Sequence, residues 1–160
     1  MRWVLALAAA LVACGNGQGG MDFSALFAVD QGRFTPDQRY TAVYSGFDQP
    51  AQLVIRDAGG WAAFWDQMHQ GQSPVPALPA VDFGRQMVIA AAMGTQHSGG
   101  YAIAIERVSF GSEVIVGVLA TSPGHGCVVT AALTKPVDAV VVSRSDAPVR
   151  FQESAALHDC

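Results

Sequence analysis

Short β-prone runs broken by turn residues fill the second half of this chain, and they limit the choice of fold more than any other feature. The runs occupy residues 87–93, 101–105, 113–120, 127–130, 139–142 and 149–151. Glycine, proline, serine and aspartate separate them at intervals typical of antiparallel sandwiches and barrels. Strands and helices do not alternate, which argues against a parallel α/β sheet. The pattern predicts a mainly β domain, either an antiparallel sandwich or a barrel-like fold.

One helix is predicted before these runs, at about residues 58–69, after two earlier strand candidates at 40–44 and 51–56. Asp57 suits the N-cap position, and Gly71 with the prolines after it stops the helix. The apolar stripe of this helix consists of Trp61, Phe64, Trp65 and Met68. Such a stripe is expected to pack against the sheet as part of the core.

The first residues have the features of a bacterial export signal. Arg2 precedes an apolar stretch, residues 4–13, which is too short to span a bilayer. Leu11-Val12-Ala13-Cys14 then resembles the bacterial lipobox. The resemblance implies a signal peptide at 1–13 and a lipoprotein that begins at Cys14, with a palmitate-type acyl anchor on that residue. A glycine-rich tether follows as far as residue 20.

A lipid anchor sets the expected location of the protein. Three acyl chains hold a protein to a membrane without a spanning helix. Gly15 stands where an aspartate usually signals retention in the inner membrane, so the outer membrane of a Gram-negative envelope is favoured. The alternative is an ordinary secretory signal in which Cys14 is incidental. Residues 21–160 are expected to form one globular domain.

Charge and cysteine content restrict the ligands that this chain is expected to bind. Nine basic and 13 acidic residues give a net charge of −4 without any basic cluster, which disfavours nucleic acid as a partner. Cys127 and Cys160 remain once Cys14 carries lipid, and two thiols in an oxidising compartment usually form a disulfide. Two unpaired thiols are the alternative. The spacing of Cys and His is unlike that of metal sites, so no metal or cofactor is expected.

The residue types of hydrolytic enzymes are present without their usual arrangement. The four histidines are His69, His97, His125 and His158. Their polar and glycine neighbours indicate solvent-facing loops and structural or surface roles. A set of Asp82, His97 and Ser98 lacks the Gly-x-Ser-x-Gly elbow, and adjacent side chains on a strand point to opposite faces. We therefore expect a protein without enzymatic activity.

A glycine-rich loop between two predicted strands, residues 94–101, is the leading candidate for a binding site. Gly99 and Gly100 permit positive φ, and Tyr101 is an aromatic residue of the kind that anchors protein interfaces. The candidate contact residues are Gly94, His97, Ser98, Gly99, Gly100 and Tyr101, with Pro123, Gly124 and His125 on a second loop. The alternative is a hairpin whose glycines only relieve backbone strain.

Three separated segments, taken in order, resemble the C-terminal domain of the PrcB-like family. They are Val81-Asp82-Phe83, Ser98-Gly99-Gly100-Tyr101, and Pro123-Gly124-His125-Gly126-Cys127 followed by Ala132-Leu133-Thr134-Lys135-Pro136. The resemblance covers about residues 50–152, with its core at about 81–152, and Ser98 replaces the usual threonine. Members are described as lipoprotein subunits of protease complexes. The resemblance implies a non-catalytic cell-envelope protein that binds or stabilises a partner, with a protease as the suspected one.

The loop at residues 94–101 is also similar to a loop of chagasin-type inhibitors of cysteine proteases. Those proteins are β-sandwiches that present loops to a protease cleft, and this chain lacks the Asn-Pro that precedes their loop. The alternative function is therefore a protease-inhibitor-like module that presents residues 94–101.

Overall fold

The computed structural model describes residues 35–160, which fall within one compact unit of the chain. The signal peptide, Cys14, the tether and the expected start of the domain at residue 21 lie outside the described residues. The elements in chain order are β1 (Gln38–Ala42), β2 (Pro50–Ile55), α1 (Ala58–Met68), β3 (Gln86–Met93), β4 (Ala102–Ser109), β5 (Val114–Pro123), β6 (Val137–Ser143) and β7 (Val149–His158). No helix in this part of the chain is long and apolar enough to cross a lipid bilayer.

The seven strands form two sheets, as expected for a sandwich-like β domain. One sheet has the order β1-β6-β3-β2 and is antiparallel throughout. The other has the order β4-β5-β7, in which β4 and β5 are antiparallel and β5 and β7 are parallel over ten residue pairs. The mainly β class with one packed helix is confirmed, and the parallel pair was not predicted.

Helix α1 covers one face of the four-stranded sheet, and its apolar stripe is buried as predicted. Trp61, Phe64, Trp65 and Met68 are at most 6% exposed. Asp57 is the N-cap, since its carboxylate accepts the backbone N–H of Gly60 at 2.8 Å. The indole N–H of Trp61 donates to the carbonyl of Pro79 at 2.9 Å, which attaches the proline-rich segment to the helix.

A second core lies between the two sheets. It is built mainly from Val, Ile, Ala and Met side chains of β3, β4, β5 and β6, including Met87, Ile89, Ile105, Val116 and Val140. Strands β3 and β6 are buried on both faces, because α1 packs on one side of their sheet and the second sheet on the other. This explains why their sequences are continuous apolar runs without alternation.

A buried carboxylate joins the sheets near β1. Asp138 of β6 is 1% exposed, and its Oδ2 accepts the backbone N–H of Ile105 at 2.6 Å, beside a bulge in β4. Arg39 of β1 places its Nε 3.4 Å from Oδ1 of this carboxylate and also donates to the Ile105 carbonyl. Burial raises the pKa of Asp138, while the Ile105 amide and Arg39 oppose that shift. Asp138 and Arg39 thereby bind the backbone N–H and the carbonyl of Ile105, which connects β4 to the first sheet.

Three local expectations are corrected by the structure. Residues 127–130 do not form a strand: the N–H of Cys127 donates to the Gly124 carbonyl within a turn, and the carbonyl of Thr130 accepts the N–H of Gly99 in the other loop. The last strand is longer than the predicted run at residues 149–151, because β7 continues to His158 in register with β5. His69 is not on a solvent-facing loop: it is 8% exposed, with its ring 4.2 Å from that of Trp65 and Nδ1 3.0 Å from the Trp65 carbonyl.

Candidate functional site

The two loops singled out in the sequence meet at one end of the sandwich. The backbones of Gln96 and Thr134 exchange two hydrogen bonds, of 2.7 and 3.0 Å, and the N–H of Gly99 donates to the carbonyl of Thr130 at 2.9 Å. Residues 94–101 are therefore flanked along their length by residues 130–134. We call the loop end the region formed by residues 94–101, residues 123–135 and the turn at residues 43–45.

Two glycines of the first loop are required by their backbone conformation and surroundings. Gly94 has φ of +72°, and a Cβ there would lie 2.8 Å from the ring of Pro50. Gly100 has φ of +86°, and a Cβ there would approach both Pro123 and Val129 to 3.0 Å. The close approach at Gly100 brings the second loop against the first, as the sequence analysis expected.

The exposed part of the first loop includes a ring pair formed by His97 and Tyr101. Their rings meet edge to face with centroids 5.3 Å apart, and the Tyr101 hydroxyl lies 3.2 Å from Nε2 of His97. His97 is exposed and Tyr101 half-buried. Tyr101 therefore points neither fully into the core nor freely into solvent, and it holds the imidazole at the surface.

Ser98, by contrast, is a packing residue. It is 7% exposed, and its carbonyl accepts the hydroxyl of buried Thr134 at 2.8 Å. The neighbouring Gly99 is buried as well. The middle of the loop therefore lies beneath residues 130–134 and does not contact solvent, which differs from the expected exposed loop tip.

A disulfide between Cys127 and Cys160 closes the second loop against the end of β7. The Cα atoms of the two residues are 5.2 Å apart. The N–H of Gly124 donates to the carbonyl of His158 at 2.9 Å, and the N–H of Cys127 donates back to the Gly124 carbonyl at 3.0 Å. His125 is exposed on the turn between them. The bridge thus fixes the residues that lead into the exposed stretch after Cys127.

Exposed apolar side chains at the loop end were missed by the sequence analysis. Val128 is fully exposed, Leu133 is 65% exposed and Tyr44 is 60% exposed. The turn that carries Tyr44 is joined to the second loop, because the N–H of Lys135 donates to the Val43 carbonyl at 2.8 Å. Val128 was placed in a β-prone run and Leu133 in the family motif at residues 132–136, and neither pattern separates an exposed apolar side chain from a buried one.

Asp82, His97 and Ser98, the residues considered for hydrolytic chemistry, do not come together in one site. Asp82 precedes β3, where its carboxylate accepts the N–H of Gly84 at 3.0 Å, and His97 follows the other end of that strand. Eight strand residues separate those ends by roughly 25 Å. Among residues 35–160, no group of three His, Cys, Asp or Glu side chains could hold a metal ion.

Comparison with known proteins identifies the segment that contains these loops. The family model described as PrcB C-terminal matches residues 87–143, which run from β3 to the end of β6. Both loops of the loop end lie inside the matched segment. No curated protein and no solved structure gives a significant match to the chain.

Proposed function

Residues 87–143 of this chain match the PrcB C-terminal family model, and from that premise we propose that the protein is a non-catalytic binding subunit. Its partner is a protein, and the family's association with protease complexes makes a protease complex the first candidate. The site of contact is the loop end. Neither loop is peripheral to the family segment, because both connect strands within it.

The observation that carries this proposal is the exposure of large apolar side chains at the loop end. Burying a valine or leucine side chain contributes about 1.5–3 kcal/mol relative to leaving it in water. Val128 and Leu133 obtain none or little of that contribution within the domain. They belong to the second loop, which is hydrogen-bonded to the loop that carries the His97–Tyr101 pair. A partner that covers Val128 and Leu133 would recover that free energy. Tyrosine, the residue type of Tyr101, is enriched among the residues that contribute most to binding at interfaces.

The packing of residues 94–101 favours a partner subunit over the inhibitor-like alternative. An inhibitory loop has to project into a protease cleft, whereas Ser98 and Gly99 are buried under residues 130–134. Thr95, His97 and Gly100 are the exposed residues of this loop, and Tyr101 is half-buried. A broad surface that includes the second loop suits docking of a folded partner better than insertion into a cleft.

We also propose that the protein is held at the cell envelope by lipid on Cys14. The lipobox at residues 11–14 supports this proposal. Mass spectrometry of the exported protein is expected to find Cys14 as the first residue with acyl chains attached, and Cys14→Ser is expected to release the protein from membranes. An unmodified N-terminus at another residue would contradict the anchor without affecting the binding proposal.

Charged substitutions at the loop end test the binding proposal directly. The double variant Val128→Asp with Leu133→Asp is expected to reduce partner capture from envelope extracts at least about tenfold, since a buried unpaired charge is costly at an interface. Captured proteins are identified by mass spectrometry. The melting temperature is expected to change little, because both side chains are exposed.

A matched control exists in the same chain. Val75 and Leu78 are 50% and 48% exposed on the segment after α1, away from the matched family region. The double variant Val75→Asp with Leu78→Asp is expected to capture the partner as well as the wild type does. Equal capture by both double variants would exclude the loop end as the contact surface.

A further inference from the structure

The last strand, β7, presents a free edge outside the matched family segment. Among residues 35–160, β5 is the one strand that pairs with β7, which spans ten residues. From Gln152 to His158 every residue of β7 is exposed. Cys160 is held by its disulfide to Cys127, which follows β5, so the end of the chain is drawn away from the free edge. The edge is therefore open to another polypeptide.

Two hydrogen bonds establish which residues of β7 direct their backbone groups towards this edge. At one end the N–H of Val114 donates to the carbonyl of Pro148 at 2.8 Å, and at the other the N–H of Gly124 donates to the carbonyl of His158 at 2.9 Å. Because backbone groups alternate in direction along a strand, the even-numbered residues of β7 bond towards β5. The odd-numbered residues among 149–157 therefore direct their N–H and C=O groups to the free edge.

The edge of β7 lacks the features with which soluble proteins prevent strand pairing. Those features include proline, a bulge, a short strand and charged side chains. β7 contains no proline, and its register with β5 is continuous over its whole length. Residues 154–157 are Ser-Ala-Ala-Leu and carry no charge. By contrast, β1 has five residues, β2 begins with Pro50, and β4 has a bulge after Ile105.

The sequence of β7 is complementary to itself in one antiparallel register. Phe151 packs on the second core, and Leu157, which is 68% exposed, lies an even number of residues further on and so on the same face of the sheet. When Phe151 faces Leu157 of another copy, Glu153 faces Ala155, and the outward backbone groups of both strands meet. Moving the register by two residues opposes Glu153 to itself in one direction and Phe151 to Asp159 in the other. Moving it by one residue opposes outward groups to groups already bonded to β5.

We infer that β7 is a homodimer interface, in which β7 of a second copy, related by a two-fold axis, occupies the free edge. The three-stranded sheets of the two copies then join into one continuous sheet. Its hydrogen-bonded pairs are Phe151 with Leu157 and Glu153 with Ala155, each formed on both sides of the axis. The interface lies outside residues 87–143 and shares no residue with the loop end, so it does not depend on the function proposed there.

A cysteine on the axis tests the register. In it, Ser154 forms a non-hydrogen-bonded pair with itself, in which Cα atoms lie about 4.5 Å apart, within the range of a disulfide. In a full-length chain with Cys14→Ser, which removes a competing thiol, Ser154→Cys is expected to give a disulfide-linked dimer with oxidised glutathione on a non-reducing gel. Ala156→Cys is the matched control, because it faces Gln152 and its own counterpart is about 13 Å away. Equal crosslinking of both variants, or none from Ser154→Cys, would overturn the inference.

A proline variant tests the main-chain hydrogen bonds of the interface. Ala155→Pro removes an outward N–H, and an edge strand accepts proline where the nitrogen faces away from the existing ladder. By sedimentation equilibrium, the parent Cys14→Ser chain is expected to dimerise with Kd below about 100 µM, and Ala155→Pro is expected to raise this Kd at least about tenfold. Ala155→Ser keeps the N–H and is expected to dimerise like the parent. A parent Kd above about 100 µM, or a dimer that Ala155→Pro leaves unchanged, would exclude this interface.

Discussion

Replacing Trp61 with alanine is expected to lower the free energy of unfolding by about 3–5 kcal/mol, the range for large buried aromatic side chains. Trp61 is 2% exposed, stacks on Phe64 with centroids 5.6 Å apart and meets Tyr40 at 5.5 Å. Truncation leaves a cavity between α1 and the sheet and also removes the donor to the Pro79 carbonyl. Urea denaturation followed by circular dichroism measures the change.

Trp61→Phe is the control that separates ring packing from the hydrogen bond. It keeps an aromatic ring in the same position but leaves the Pro79 carbonyl without its 2.9 Å donor. The expected loss is about 1–3 kcal/mol, smaller than for alanine. A Trp61→Ala protein as stable as the wild type would mean that α1 contributes little to the core described here.

Removing the disulfide is expected to lower the free energy of unfolding by about 3–4 kcal/mol. Cys127 and Cys160 are 33 residues apart, so the bridge restricts a sizeable loop of the unfolded chain. The variant is Cys127→Ser with Cys160→Ser, measured by denaturation beside the unreduced wild type. Labelling of the native wild type with a thiol reagent under unreduced conditions is expected to find neither cysteine free.

The disulfide variant also reports on how the loop end is held. The bridge attaches the second loop to the end of β7, and the Gly124–His158 hydrogen bond lies beside it. A loss of less than about 1 kcal/mol in the variant would fall well short of the loop-closure value. That result would contradict the role given to the bridge.

The spacing of apolar residues was sufficient to predict the helix and the strands that lie in a largely apolar environment. The helix stripe at Trp61 and Trp65 and the apolar runs of β3 and β6 are recognisable because their core-facing positions are apolar, with Asp138 of β6 as the exception. The pairing of β5 with β7 was beyond sequence reasoning, because it joins strands separated by β6 and depends on tertiary packing. Residues 127–130 have the composition of a strand, yet their position after a disulfide-closed turn leaves them without a strand partner.

At the candidate site, the sequence located two loops but not which of their side chains are exposed. Positive φ was expected to be possible at Gly99 and Gly100, and of these two Gly100 has it, where it also lies against Pro123. Burial of Ser98 depends on Thr134, 36 residues away, and no local pattern encodes that contact.

Site-specific photocrosslinking in intact cells tests the central claim, binding of a partner at the loop end, most directly. A photoreactive amino acid is placed at Leu133, on the loop end, or at Leu78, which has similar apolar character and lies outside it. A crosslinked partner, identified by mass spectrometry, is expected from position 133 and none from position 78. Crosslinking from position 78 alone, or no crosslink from position 133, would contradict it.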